Sequence, residues 1–385
     1  MKKGFSENGS SFVQLVDQMQ WGGVLSPAAA ELVGREGEIP VVIEDDSNLR
    51  AKITDTCGMT CTFCHNEGTP VAVALRGITT QRSSIFSETN GVNFMSGQIQ
   101  PDEAFGHALL SMRQSIGSDE LHLTGGEPSL HRNIAELVER AVSLSYRVKM
   151  TSNGENPSGI RKAIEAGVSK IDFSIYGTTP EELAQTQAEK YRDEHLAETK
   201  IERLKKSMQI ALDSGIKVDA NIVMRNGGDS ERTWRILNEY DPRISMRILN
   251  SLDDPESCPA IYEFLASSGA EPVEHTVVAG FSGARTKYRL PNGREIFFKQ
   301  IRQVFLPEIC DACPFKDSNC EEGFFGVRLY VDNHRQYKAG VCIQRMDFCE
   351  DVEQFVSGSL PGEIRQSRED DRKRLEEYYG NRIVR

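Results

Sequence analysis

No stretch of these 385 residues stays apolar over the roughly twenty positions that a membrane-spanning helix needs, so no membrane partner is expected. The lysines at the start, Lys2 and Lys3, have no apolar segment behind them, which argues against an export signal and makes the cytoplasm the expected compartment. Positive charge is also in short supply: 45 Lys and Arg against 57 Asp and Glu leave a formal net charge of −12. Nucleic-acid binders draw most of their affinity from cations that displace counterions, so this balance argues against a nucleic-acid partner and favours a small-molecule or polypeptide substrate. No low-complexity segment is present, and no internal repeat beyond an alternation of strand and helix patterns.

The nine cysteines are odd in number and clustered, a usage that goes with metal binding or catalysis more often than with a disulfide framework in a reducing compartment. Three lie in DTCGMTCTFCHNEG (55–68), as Cys57, Cys61 and Cys64 spaced C-x3-C-x2-C, and no fourth is near. A structural zinc ion wants four ligands in tetrahedral array, and only His65 is close enough in sequence to complete one; plain buried thiols are a further reading. The short spacing suits an iron-sulfur cubane, in which a tight loop holds three corners and leaves the fourth iron open to another ligand.

From Leu49 onward, short β-rich runs at 49–54, 120–124, 147–151, 170–175, 217–224 and 244–249 alternate with helix-compatible segments that often end in Gly. Six such units predict an α/β fold, a partial (β/α)6 barrel of TIM type with its site at the C-terminal strand ends. The first 48 residues read as an extension with a helix around Phe12–Met19, residues 49–260 as the barrel, 261–350 as a cysteine-rich β-hairpin domain, and 351–385 as a helical, charged tail. TKYRLPNGREIFF and FGVRLYVDNHRQYKAGVCI read as hairpins, with Cys310, Cys313, Cys320, Cys342 and Cys349 around the second. Cys258 reads as a small buried hydrophobe.

The cysteine loop after a first strand, followed by TGGEP (124–128) at the end of the second, resembles the radical S-adenosylmethionine (SAM) superfamily. The resemblance implies a [4Fe-4S] cluster on Cys57, Cys61 and Cys64. The amino and carboxylate groups of SAM chelate its open iron, and one electron splits the sulfonium to give a 5′-deoxyadenosyl radical. It also implies cofactor contacts at Phe63, Gly125, Gly126, Glu127, Ser152, Asn153, Ser174, Asn221 and Arg247, and an electron donor such as flavodoxin or ferredoxin. Within the superfamily, LRAKITDTCGMTCTFCHNEG, LHLTGGEPSLHR, VKMTSNG, KVDANIVMRNGGD and ISMRILN are similar to segments of the GTP 3′,8-cyclases of molybdenum-cofactor biosynthesis. That branch implies a second [4Fe-4S] cluster on Cys310, Cys313 and Cys342, with Cys320 or Cys349 open as a fourth ligand.

The cyclase's substrate positions do not carry over. PFKD (314–317) stands where an Asn-Arg-x-Arg segment is expected, His122 where a basic residue precedes TGG, and Asp219 where a lysine is expected; Arg50 is kept, and the chain ends NRIVR without the family's Gly-Gly. Each charge-assisted bond to a triphosphate is worth roughly 1.5–3 kcal/mol, so these losses disfavour GTP. The expected enzyme therefore abstracts hydrogen from another small molecule, nucleoside- or sugar-like, in specialised metabolism. Modification of a ribosomally made peptide, GTP cyclisation itself, and a non-enzymatic iron-sulfur scaffold remain as alternatives.

Overall fold

The computed structural model describes residues 25–61, 64, 95, 97–251, 254–316, 320, 322–343, 345 and 348–384. The anticipated helix at Phe12–Met19, Phe63 and His65 lie outside them. In chain order the elements are α1 (Pro27–Glu36), β1 (Val41–Asp45), β2 (Asn48–Thr54), α2 (Glu103–Ile116), β3 (Glu120–Gly125), α3 (Ile134–Ser143), β4 (Arg147–Ser152), α4 (Pro157–Glu165), β5 (Val168–Ile175) and α5 (Pro180–Gln185). Then come α6 (Glu194–Asp213), β6 (Lys217–Met224), α7 (Ser230–Glu239), β7 (Ser245–Asn250), α8 (Ser257–Ser267), β8 (Glu271–Ala279), β9 (Gly283–Arg289) and β10 (Glu295–Ile301). The chain finishes with α9 (Pro307–Cys310), β11 (Val327–Val331), β12 (Tyr337–Gly340), β13 (Glu350–Asp351), α10 (Val352–Ser357) and α11 (Leu360–Tyr379).

The six anticipated strands are β2 to β7, and they pair in sequence order, all parallel. Their helices start and stop where the local chemistry dictates. Asp102 accepts from the Phe105 amide to begin α2, and Gly117, at φ 73°, ends it in the left-handed conformation that costs glycine least. Thr179 and Glu182 form a reciprocal capping box at the start of α5. Among the described residues the sheet has thirteen strands and is not closed, with β1 and β13 at its edges. Both C-terminal hairpins belong to it: β10 runs parallel to β7, and β11 parallel to β2.

Along β2 to β7 the side chains alternate between two faces, as a period of two requires, apart from register shifts at Lys52/Thr54 and Val148/Lys149. One face carries Leu49, Ala51, Ile53, Leu121, Leu123, Val148, Met150, Ile171, Phe173, Ala220, Ile222, Met246 and Ile248, all buried in one core with the flanking helices. The other face carries Arg50, Lys52, Thr54, His122, Thr124, Lys149, Thr151, Asp172, Ser174, Asp219, Asn221, Ser245 and Arg247. The barrel thus has an apolar outside and a charged inside.

The charged tail is docked more firmly than a solvated helix. Leu360, Ile364, Leu375 and Tyr379 of α11 are buried, and Asp371 meets Arg302 at 2.6 Å while accepting from the Gly280 amide at 2.8 Å. A Cβ on Gly280 would stand 2.6 Å from the Arg368 Cα, so only glycine permits this approach, and its φ of 67° suits glycine as well. Cys258 is buried in α8, where burial pushes its thiol up to about 12. Among the described residues no helix is long and apolar enough to cross a membrane.

Candidate functional site

The cysteine loop leaves the C-terminal end of β2 and is held from three sides. Gly126 donates to the Thr54 carbonyl and Glu127 to the Thr56 carbonyl, each at 2.7 Å, so the GGE turn after β3 is laced to the loop's first residues. A Cβ on Gly125 would stand 2.3 Å from the Thr54 oxygen, and one on Gly126 2.5 Å from that of Thr56. These glycines therefore allow a close backbone approach to the loop itself.

The second hold comes from the turn after β4. Glu127 is buried; its Oε1 accepts from the Ser152 hydroxyl (2.6 Å) and the Ser129 amide (2.9 Å), and its Oε2 from the Asn153 amide (2.6 Å). Burial nevertheless keeps its carboxyl above the usual range. Asn153 Nδ2 points to Cys57 Sγ at 3.6 Å. Two residues on, Glu155 Oε1 accepts from the Gly58 amide at 2.8 Å, and a Cβ at Gly58 would stand only 2.0 Å from Glu155 Oε2. Lys200 of α6 donates to the Gly58 carbonyl.

The third hold is Gln187, just past α5. Its Oε1 accepts from the Thr60 amide at 2.7 Å, its Nε2 points to Cys61 Sγ at 3.7 Å, and its backbone bridges that of Cys61. Met59, Leu183, Ala184, Ala197 and Ile201 pack around the loop, with Tyr176 beside the three thiols. Glu155, Gln187, Lys200 and Tyr176 were not anticipated from the sequence.

Burial raises the Cys57 thiol far above its ordinary range and pushes Cys61 up to about 12. Thiolates here need a cationic partner. Among the described residues no three His, Cys, Asp or Glu side chains converge as a single ion would require, whereas three cysteines packed against one hydrophobic cluster suit a larger metal cluster. Amides of Met59 (3.4 Å), Asn153 and Gln187 are aimed at the sulfurs, which suits anionic ligands. Hydrogen bonds to cluster sulfurs raise the reduction potential. Gln187→Leu is accordingly expected to shift the potential of the cluster downward by tens of millivolts, read by redox titration with electron paramagnetic resonance; an unchanged potential would remove Gln187 from this role.

Below the loops, Ser174, Asn221 and Arg247 stand abreast on β5, β6 and β7. Arg247 meets Asp172 at 2.7 Å and Asp219 at 3.7 Å, and Lys170 meets Asp219 at 2.7 Å and Asp172 at 3.4 Å. Burial works against the Asp172 carboxylate, but Arg247 and Lys170 outweigh it and hold it well below the usual range. Asp219, standing where the resemblance led to a lysine, is thus matched by Lys170 one strand away. His122 shares a hydrogen bond of 2.7 Å with Thr151, and burial, aided by Lys149 and Arg50, keeps its imidazole neutral.

The C-terminal cysteines separate into two environments. Cys310, Cys313, Cys320 and Cys342 line one apolar cavity with Phe305, Phe315 and Phe324. The Gly323 amide points to Cys320 Sγ at 3.3 Å and Arg345 to Cys313 Sγ at 3.7 Å. Burial pushes Cys310 up to about 11 and raises Cys320 as well. Cys349 instead packs beside Met95 and Tyr330.

Residues 51–239 match the model of the Radical SAM superfamily. A probable GTP 3′,8-cyclase of Methanothermobacter thermautotrophicus is 23% identical over 277 residues, 69% of this chain and 79% of that one. Its counterpart in Methanothermobacter marburgensis is 21% identical over 82% of this chain and 90% of that protein. The crystal structure of Streptococcus suis SuiB bound to precursor peptide SuiA aligns over 94% of this chain and 74% of that one, with TM-score 0.46 and 11% identity. With its three-cysteine loop, its GGE turn and an open, mostly parallel sheet of barrel type, the chain carries a radical SAM domain over residues 51–239 and is an enzyme similar to the probable GTP 3′,8-cyclases.

Proposed function

We propose that this enzyme cleaves SAM reductively and abstracts hydrogen from a nucleoside- or sugar-like small molecule other than GTP. The radical SAM domain brings SAM and a [4Fe-4S] cluster. When bound, they supply a 5′-deoxyadenosyl radical from one electron, for which flavodoxin or ferredoxin is the proposed donor. Cys57, Cys61 and Cys64 would hold the cluster. Gly125, Gly126 and Glu127, the Ser152–Asn153 turn, and Ser174, Asn221 and Arg247 would hold and orient the cofactor, with Phe63 beside it.

The observation that carries the reading is the lacing of the GGE turn and the Ser152–Asn153 turn to the cysteine loop through Glu127 and the Thr54 and Thr56 carbonyls. These bonds fix the three loops relative to one another through the protein's own groups, which reduces the ordering cost of binding. The interior charges set this chain apart from enzymes built for a triphosphate: Asp172 and Asp219 occupy the β5–β6 side and neutralise Lys170 and Arg247. We further propose that Cys310, Cys313, Cys320 and Cys342 close a second [4Fe-4S] cluster with a full set of thiolates, leaving no iron for substrate and a role in electron transfer. Its support is the single cavity that these four cysteines share.

Anaerobically reconstituted enzyme is expected to carry about eight irons and to yield 5′-deoxyadenosine from SAM under dithionite. Supplied with GTP, it is expected to yield no 3′,8-cyclised product. About four irons would remove the second cluster, absent cleavage would remove the enzymatic reading, and cyclised GTP would restore the cyclase.

A further inference from the structure

Lys299 lies on β10, a strand that the site as read so far does not use. It follows Phe298, which is buried in the outer core, and by alternation faces the barrel interior, where it pairs in register with Leu249 of β7 and Arg285 of β9. Its ammonium stands 4.3 Å from the centre of the Phe325 ring, and the Arg50 guanidinium stands 5.7 Å from the same ring. Among the described residues the Lys299 ammonium has no hydrogen bond and no ion pair.

The remaining charges on this face make that ammonium more exceptional. Lys149 is paired with Glu120, Lys52 with Asp55, and Lys170 and Arg247 share Asp172 and Asp219. The charged groups that act on Lys299 are Arg50 of β2, Asp172 of β5, Arg247 of β7, and Glu322 in the segment before β11. Burial, reinforced by Arg50 and Arg247, brings its amine down to about 7. A partly buried ammonium acted on by two cations and two carboxylates, neither carboxylate its ion-pair partner, is an unfavourable arrangement unless a ligand supplies further negative charge.

We propose that Lys299 and Arg50, flanking the Phe325 ring, form a subsite for a small anionic substituent of the substrate, a carboxylate or a phosphate ester. This deepens the proposed function and rests on it in taking the occupant to be the substrate. Relative to an enzyme that grips a triphosphate on β6, the positive charge is supplied from β10, beside the retained Arg50 of β2. The buried Phe325 ring, which both cations approach, keeps water from one side of the anion's seat, and this strengthens each charge-assisted bond.

Binding of sulfate and of acetate to the cluster-loaded enzyme, measured by calorimetry with saturating SAM and no reductant, tests the subsite. Both probes keep a fixed charge between pH 6.5 and 9. Saturable binding of one or both is expected, sulfate preferred if the substituent is a phosphate ester and acetate if it is a carboxylate. Lys299→Met is expected to weaken it roughly ten- to hundredfold. Because the protonated amine is the binding form, wild-type affinity falls above pH 7, by up to roughly tenfold per unit, while Lys299→Arg holds it level. The subsite is disproved by an absence of anion binding, by equal binding in Lys299→Met, by a matching decline with pH in Lys299→Arg, or by loss of the anion when SAM is added, since the seat would then be the cofactor's. Cofactor cleavage by the wild-type enzyme is scored separately. Cleavage without anion binding leaves the enzymatic reading standing, and anion binding without cleavage does the reverse.

Discussion

Cys57→Ala is expected to abolish 5′-deoxyadenosine formation and to lower the iron content from about eight to about four per chain. The reason lies in how the loop is built. Cys57 is the sulfur on which the Met59 and Asn153 amides converge, and it sits one residue before Gly58, whose amide and carbonyl are held by Glu155 and Lys200. Removing it deletes a corner of the cluster at the point where the loop has least freedom to offer another ligand. The second set of thiols lies on a separate segment, so its iron should remain. Spectroscopy should then show one cluster that does not respond to SAM. Residual cleavage in this variant, or loss of both clusters together, would overturn the ligand assignment.

The second large effect concerns stability. Asp371→Ala should destabilise the fold by about 3–5 kcal/mol, because it strands the Arg302 guanidinium in a site where only 8% of that side chain is exposed. It also leaves the Gly280 amide without its acceptor. Replacing both partners, Asp371→Leu with Arg302→Met, should recover most of that loss, since two apolar groups leave no charge unpaired. The pH dependence follows from the direction of the shift. Burial opposes ionisation of Asp371, but Arg302 outweighs it and holds the carboxyl below its ordinary value. A lowered folded value means that the pair stabilises fully above the unfolded carboxyl value of about 3.9 and loses that contribution as the pH falls through the folded value. Urea midpoints of wild type and Asp371→Ala should therefore converge at acid pH. A gap that does not narrow as the pH falls below the unfolded carboxyl value would assign the effect to packing of α11 instead.

Strands β2 to β7 were legible because each combines β-branched or aromatic residues with alternation and is followed by a helix with recognisable ends. Strand β8 was not: a register shift between Pro272 and Glu274 breaks its alternation. Strand β1 has one buried residue in five, and α8, SCPAIYEFLAS, is apolar around most of its circumference and so lacks a stripe. The two C-terminal hairpins were legible as hairpins, but their parallel pairing with β7 and β2 is long-range and leaves no local mark.

The candidate site divides in the same way. Its cysteines and GGE turn are contiguous and could be read directly. Glu155 and Gln187 reach the cysteine loop across 97 and 127 residues, which spacing does not disclose. The interior charges had a usable signal, since R-A-K, H-L-T, K-M-T, D-F-S, D-A-N and S-M-R put every polar residue on the same parity as its neighbour across the sheet. Only the register shows which of them meet, and it alone explains why Asp219 is tolerated.

One consequence of the topology bears on how a substrate gets in. Strand β2 delivers Cys57, β12 leads to Cys342, and β11 lies between them, hydrogen-bonded to both. Cys57 and Cys342 are therefore joined through one continuous ladder of three strands. Opening by two bodies swinging apart about a hinge would have to tear a ladder.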